Sequence, residues 1–192
     1  LGLNYLPVTP PQILWINMVT SVTLALAISF EPHERGVMRR RPRVVNRPLI
    51  TRLGLWRIIF ISVLLTLFTF GTFYWMKTHG ASLELSRAAA INAMILGQVM
   101  YLINSRFLLE SSLTPAAFSG NRWVPISIGA VIVLQALFTY FPPMQEIFGV
   151  EAVPLSVWRW LLLGGVTFFL VVELEKLVIR RMYSQDEEPA SA

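Results

Sequence analysis

Residues 155–177 read LSVWRWLLLGGVTFFLVVELEKL, and this stretch decides the fold. Arg159 is the only charged residue before Glu173. An α-helix needs about 20 apolar residues to cross the hydrocarbon core of a bilayer, so the stretch has the length of a transmembrane helix. A membrane strand needs only about half that length. The stretch therefore predicts a helix that spans a membrane.

Four further apolar runs precede it, at residues 11–30, 56–76, 88–104 and 123–141. The whole chain has 192 residues, of which 55% are hydrophobic and only 14% are charged. In lipid every backbone polar group must be satisfied internally, so these runs are expected to be helices. The sequence thus predicts an all-α fold, a polytopic membrane helix bundle of five transmembrane helices.

The domain boundaries follow from the same reading. Residues 1–183 are predicted to form one membrane domain, and residues 184–192 a disordered acidic tail, because the tail is poor in apolar residues. The third run is the weakest span, since Asn92, Gln98 and Asn104 interrupt it. A re-entrant or interfacial helix is the alternative for this run.

The loop charges predict an orientation. Of the 16 lysines and arginines, 13 lie on the side that holds the loop after the first run, the loop after the third run and the C-terminal tail. Cytoplasmic loops carry the excess of Lys and Arg. We therefore expect an integral protein of the plasma membrane whose N-terminus is outside and whose C-terminus is cytoplasmic.

The sequence lacks the common enzyme signatures. It has no cysteine, no glycine-rich phosphate loop, no HExxH and no GxSxG. His33 and His79 have no neighbouring metal-ligand residues in the sequence. This chain alone is therefore not expected to be catalytic or to hold a cofactor.

Polar residues inside the apolar runs are the candidates for function. Asn17, Thr20 and Ser21 follow i, i+3, i+4 spacing, which places them on one face of a helix. Their oxygens suit a cation, but Ser, Thr and Asn also hydrogen-bond between membrane helices. Spacing alone leaves both interpretations open.

Other polar residues allow the same two interpretations. Gln98 and Gln135 lie within the third and fourth runs, where an interhelical hydrogen bond is the simpler explanation for each. Glu173, Glu175 and Lys176 lie near the end of the last run. Charges there can pair with one another or extend to the interface, so we interpret them as structural anchors.

Several segments together give the chain a family resemblance. Residues 6–21 read LPVTPPQILWINMVTS, and residues 37–43 read VMRRRPR. They resemble the sixth transmembrane helix and the following basic loop of calcium-pump-like, cation-transporting P-type ATPases. Residues 98–104, YFPPMQ at 140–145 and VELEK at 172–176 are similar to later parts of the same family, in the same order.

The resemblance implies that the five spans are helices six to ten of a ten-helix pump. It implies cation binding by Asn17, Thr20, Ser21 and Gln98, with Asn17 and Thr20 as direct metal ligands. Ser21 and Gln98 stand where the calcium pumps have an aspartate and a glutamate, so the site residues present here do not favour calcium.

The resemblance also implies partners and cofactors. These are the transported cation, membrane lipid, and the N-terminal portion of the same pump, which would use ATP and Mg²⁺; nucleic acid is not expected. In the family the loop after the sixth helix touches the phosphorylation domain. Here that contact would fall on Glu31, Arg39, Arg40, Arg41 and Arg43.

Two other functions remain open from the residues themselves. One is a stand-alone five-span scaffold or regulatory protein whose arginine-rich loop binds anionic lipid. The other is a passive channel or secondary carrier, although the five runs show no obvious inverted repeat.

Overall fold

The computed structural model of the chain describes residues 6–29, 52–105 and 123–186. These residues form six helices and, within these ranges, no strand. The helices are α1 (Pro10–Ser29), α2 (Arg52–Thr78), α3 (Leu83–Ser105), α4 (Trp123–Tyr140), α5 (Pro142–Phe148) and α6 (Leu155–Asp186). The prediction of an all-α helix bundle is confirmed.

Three helices have the length and apolar composition to cross a membrane in the described part of the chain: α2, α3 and α4. At 1.5 Å per residue, the 27 residues of α2 extend over about 40 Å, more than the hydrocarbon core requires. α6 continues to Asp186, into the predicted acidic tail, and residues 187–192 lie outside the described residues.

α3 lies at the centre of the bundle. It packs along α2 on one side and along α6 on another, and it also contacts α1 and α4. Asn92 and Asn104, which make this run look weak as a span, are both buried against protein. Because their amides face neighbouring helices and not lipid, a full helix of 23 residues accommodates them.

The apolar pattern of the sequence does not predict α5. Pro142 and Pro143 begin this seven-residue helix, which follows directly on α4. It ends at Gly149, whose φ of 58° is left-handed and whose position favours glycine. Gln12 of α1 donates from Nε2 to the carbonyl oxygen of Phe148 at 2.7 Å, so α5 is fastened to the start of α1.

Contacts between connections show which helix ends lie together. Ser82 Oγ, before α3, donates to Glu151 Oε2, before α6, at 2.6 Å. Arg87 Nε donates to the carbonyl oxygen of Leu6 at 3.1 Å. One end of the bundle therefore contains the first residues of α1, α3 and α6 and the last residues of α2 and α4. We call it the 82/151 end, and the other the 57/176 end.

Three glycines of the central layer, Gly97, Gly164 and Gly165, lie where an added Cβ would come within 3 Å of a side chain of a neighbouring helix. A Cβ on Gly97 of α3 would lie 2.6 Å from Leu65 Cδ1 of α2. A Cβ on Gly164 of α6 would lie 2.5 Å from Phe68 Cε2 of α2. Small residues let membrane helices approach closely, which is how α2, α3 and α6 form one packed unit.

Candidate cation site

The polar stripe of α1 faces out of the described bundle. Asn17 and Ser21 are exposed and Thr20 is half-buried. The opposite face of α1 is apolar and buried, with Trp15 at 7%, Ile16 at 2% and Val19 at 1% exposure. The apolar face fixes the rotation of α1 about its axis, and this rotation directs the polar face away from α4.

An aromatic cluster holds α1 in that rotation. The ring of Trp15 stacks on Phe138 of α4 with centroids 5.6 Å apart, and it lies 5.5 Å from the ring of Phe148 of α5. Gln12 is fully buried, and its Oε1 accepts a hydrogen bond from the backbone N–H of Thr9 at 2.8 Å. Asn17 lies about one and a half turns after Gln12. The contacts of Gln12 and Trp15 therefore hold the part of α1 that immediately precedes Asn17.

The hydroxyl of Thr20 is already oriented. Its Oγ1 donates to the carbonyl oxygen of Ile16, one turn earlier, at 2.8 Å. A hydroxyl has one donor and two acceptor lone pairs, so this bond uses the proton and leaves oxygen lone pairs for another group. The geometry therefore suits Thr20 as a neutral oxygen ligand.

A cleft of 390 Å³ lies beside the stripe, between α1, α2 and α3. Asn17 of α1, Thr66 and Thr69 of α2 and Met94 of α3 are among its lining residues. Thr69 is buried, and its Oγ1 has no hydrogen-bond partner among the described residues. The cleft is mainly apolar, with these polar atoms at its wall.

Gln98 lies on α3 one turn after Met94, on the same helix face as this cleft wall. Its Oε1 is buried and has no hydrogen-bond partner in the described part of the chain. No hydrogen bond joins Gln98 to Asn17, Thr20 or Ser21 within the described residues. Asn17, Thr20 and Ser21 thus share one face of α1, and Gln98 lies on a separate helix.

The donors available here are neutral. Within residues 6–29, 52–105 and 123–186, no group of three or more His, Cys, Asp or Glu side chains is placed to hold a metal ion. The predicted loop contacts at Glu31, Arg39, Arg40, Arg41 and Arg43 lie outside the described residues.

A second group of polar residues joins α3 to α4. Asn92 Nδ2 donates to Thr139 Oγ1 at 3.1 Å, and Gln135 Nε2 donates to Asn92 Oδ1 at 3.1 Å. All three side chains are buried. Gln135 is therefore an interhelical hydrogen-bond partner, in line with the simpler interpretation of that residue.

A third group, which we call the charge network, consists of Arg57, Asn104, Glu173, Glu175 and Lys176 at the 57/176 end. Lys176 Nζ lies 3.5 Å from Glu173 Oε2 and donates to the carbonyl oxygen of Asn104 at 2.6 Å. Arg57 Nη2 lies 3.6 Å from Glu175 Oε2. All five residues are buried, and the charges of α6 pair with one another and with Arg57, one of the two arrangements expected from the sequence.

Two members of the charge network, Arg57 and Asn104, are not predicted from the sequence. In the sequence, Arg57 adjoins the basic loop and Asn104 interrupts the third apolar run. The available signal for Arg57 was its place inside an apolar run, directly after Trp56. A charge there needs a partner, and the two acidic residues of the last run were the candidates.

Comparisons with known proteins match nearly the whole chain. Residues 5–178 match the family model described as "Cation transporting ATPase, C-terminus". A probable cation-transporting ATPase F from Mycobacterium tuberculosis is 34% identical over 175 residues, which cover 91% of this chain and 19% of that protein.

Two further relatives agree. The cation-transporting ATPase pma1 of Synechocystis is 33% identical over 167 residues, covering 83% of this chain and 18% of the relative. A calcium-transporting ATPase of Bacillus subtilis is 30% identical over 169 residues, covering 84% of this chain and 18% of the relative. The chain therefore spans about a fifth of the length of these relatives.

Proposed function

Because the chain belongs to the C-terminal family of cation-transporting P-type ATPases, we propose that it is the C-terminal membrane half of an ATP-driven cation pump. Its role is to contribute part of the transmembrane ion-binding site and pathway. ATP hydrolysis, with Mg²⁺, takes place in the N-terminal portion of the same pump, which is the partner of this chain.

The outward face of α1 is the observation that carries this proposal. Asn17 and Ser21 are exposed on a helix whose other face is buried. The hydroxyl proton of Thr20 is donated to the carbonyl oxygen of Ile16, so the lone pairs of Thr20 Oγ1 remain available as acceptors. Exposed polar groups are unfavourable against lipid. They are favourable against other helices that enclose a hydrated cation path.

The proposed site residues carry no negative charge, so the site needs further ligands from the rest of the pump. Asn17, Thr20, Ser21 and Gln98 offer only neutral oxygens, and the buried carboxylates of Glu173 and Glu175 are engaged by Lys176 and Arg57. A buried cation needs a compensating anion. In this proposal the anion comes from helices of the N-terminal portion.

Orientation follows from the loop charges. We propose that the 82/151 end faces the outside of the plasma membrane and the 57/176 end faces the cytoplasm, since arginines concentrate toward the latter. In this orientation the basic loop with Arg39, Arg40, Arg41 and Arg43 meets the phosphorylation domain.

The test is cation-stimulated ATPase activity of the full-length pump. Asn17→Ala and Thr20→Ala each remove one oxygen ligand, and the cation concentration for half-maximal activity is expected to rise by about ten- to a hundredfold. Thr167→Ala on α6 is the matched control. Thr167 is exposed and donates to the carbonyl oxygen of Leu163 at 2.9 Å, the same bond that Thr20 makes.

The control variant should leave the cation dependence unchanged. If Asn17→Ala and Thr20→Ala also leave it unchanged in correctly folded protein, the polar stripe serves helix packing and the proposed site is wrong.

A further inference from the structure

The ammonium group of Lys176 lies in surroundings that resemble a cation-binding site. Lys176 is 2% exposed, although lysine is almost never fully buried unless it is paired. Its Nζ donates to the carbonyl oxygen of Asn104 at 2.6 Å and lies 3.5 Å from Glu173 Oε2. A backbone carbonyl and a carboxylate thus contact the same positive group.

Asn104 takes part in this arrangement through two of its groups. Its backbone carbonyl oxygen accepts the hydrogen bond from Lys176 Nζ at 2.6 Å. Asn104 also donates from Nδ2 to Glu173 Oε2 at 3.1 Å, which holds the carboxylate in place.

A second ion pair adjoins this group. Arg57 of α2 lies 3.6 Å from Glu175 of α6, and both side chains are more than nine-tenths buried. Among the described residues, the network pairs two positive charges with two negative ones. Three helices meet here: α3 near Ser105, α2 near its start and α6 ten residues before its last residue, Asp186.

We propose that Asn104 and Glu173 form a primary-ammonium site at the 57/176 end, and that the chain fills it with its own Lys176. The ammonium is a tethered cation that joins the end of α3 to α6, with Arg57 and Glu175 completing the junction to α2. This role is separate from the proposed transport site, because it uses neither the stripe of α1 nor the cleft beside it.

The position of the charge network along α6 suits a structural connection between helices. Lys176 follows Leu155 by 21 residues, which is about 32 Å along the helix axis and close to the thickness of a hydrocarbon core. The network therefore lies where α6 leaves the apolar layer. A tethered cation there connects α3 to α6 beside the start of α2.

The experiment deletes the side chain of Lys176 beyond Cβ and then supplies a small free amine to occupy the same site. Lys176→Ala is made in the full-length protein, and thermal unfolding is measured in detergent micelles. Loss of one partner from a buried ion pair is expected to lower the Tm by roughly 10 °C. Propylammonium carries the three carbons and the ammonium that this substitution deletes, and at saturating concentration it should restore about half of that loss.

Three controls define the site. Lys176→Met fills the space of the side chain, so propylammonium should not raise its Tm. Tetramethylammonium has a positive charge but no N–H donor, so at equal ionic strength it should not rescue Lys176→Ala. Lys77→Ala, at the 82/151 end of α2, should not respond to either amine.

The proposal is overturned if propylammonium fails to raise the Tm of Lys176→Ala, or if tetramethylammonium or Lys176→Met gives an equal response. Should Lys176→Ala fail to fold, Lys176→Met, Glu173→Gln and their double variant are compared instead. A double variant more stable than the sum of the single effects supports the site, whereas additive effects contradict it.

Discussion

Gly164→Ala tests whether the approach of α6 to α2 requires glycine. The added Cβ would lie 2.5 Å from Phe68 Cε2 and 3.0 Å from Phe68 Cζ. Carbon atoms prefer separations of about 3.5–4.0 Å, so the ring must move by roughly 1 Å. The movement disturbs the existing contacts of the ring, whose centroid lies 6.2 Å from that of Phe168 and whose Cδ1 lies 3.5 Å from the Cβ position of Gly97.

The magnitude follows from the cost of overpacking. Added methyl groups in a packed core destabilise by about 1–3 kcal/mol, which for a unit of this size corresponds to a Tm lower by about 2–12 °C. The assay is thermal unfolding of the purified protein in detergent micelles, followed by intrinsic tryptophan fluorescence.

Two glycines of the same chain provide matched controls. A Cβ on Gly71 of α2 or on Gly129 of α4 meets nothing within 4 Å. Gly71→Ala and Gly129→Ala should therefore leave the free energy of unfolding unchanged or raise it by up to about 1 kcal/mol, because alanine is the better helix former. If Gly164→Ala is as stable as the wild type, or if Gly71→Ala is destabilised equally, the close contact between α2 and α6 is not the cause.

The amide junction between α3 and α4 gives a second prediction: Asn92→Leu leaves the buried Gln135 and Thr139 without their partner and should lower the free energy of unfolding by about 1–3 kcal/mol. In the double variant with Gln135→Leu the loss should be smaller than the sum of the two single losses, and an additive result would mean that the junction contributes nothing. Orientation gives a third: the chain has no cysteine, so single cysteines at Ser82 and Glu146 should react with an impermeant reagent from outside the cell. Cysteines at Asn46 and Gly120 should be protected, and labelling of Gly120 from outside would contradict the five-span orientation.

Helix type and approximate extent could be predicted from the sequence because they depend on local composition. The apolar run at 123–141 corresponds to α4, and the run at 11–30 corresponds to α1. α5 could not be predicted in the same way, since its seven residues are too few for a periodic pattern. Its position depends on contacts with Gln12 and Trp15, which are distant in sequence.

The burial and the ion-pair partners of the polar residues could not be predicted from the sequence either. Spacing identifies Asn17, Thr20 and Ser21 as one helix face, but it does not say whether that face is buried. The structure supplies this information through the burial of Trp15, Ile16 and Val19 on the other side. Likewise, the pairing of Arg57 with Glu175 joins residues more than 100 positions apart, and only the packing of α2 against α6 brings them together.

The most direct test of the proposed pump is equilibrium cation binding to the full-length protein, measured for the wild type, Asn17→Ala and Thr167→Ala across monovalent and divalent cations. We predict saturable binding of at least one cation by the wild type and Thr167→Ala, with an affinity about ten- to a hundredfold lower in Asn17→Ala. Equal affinities in all three proteins would contradict the claim that α1 contributes oxygen ligands to the transported ion.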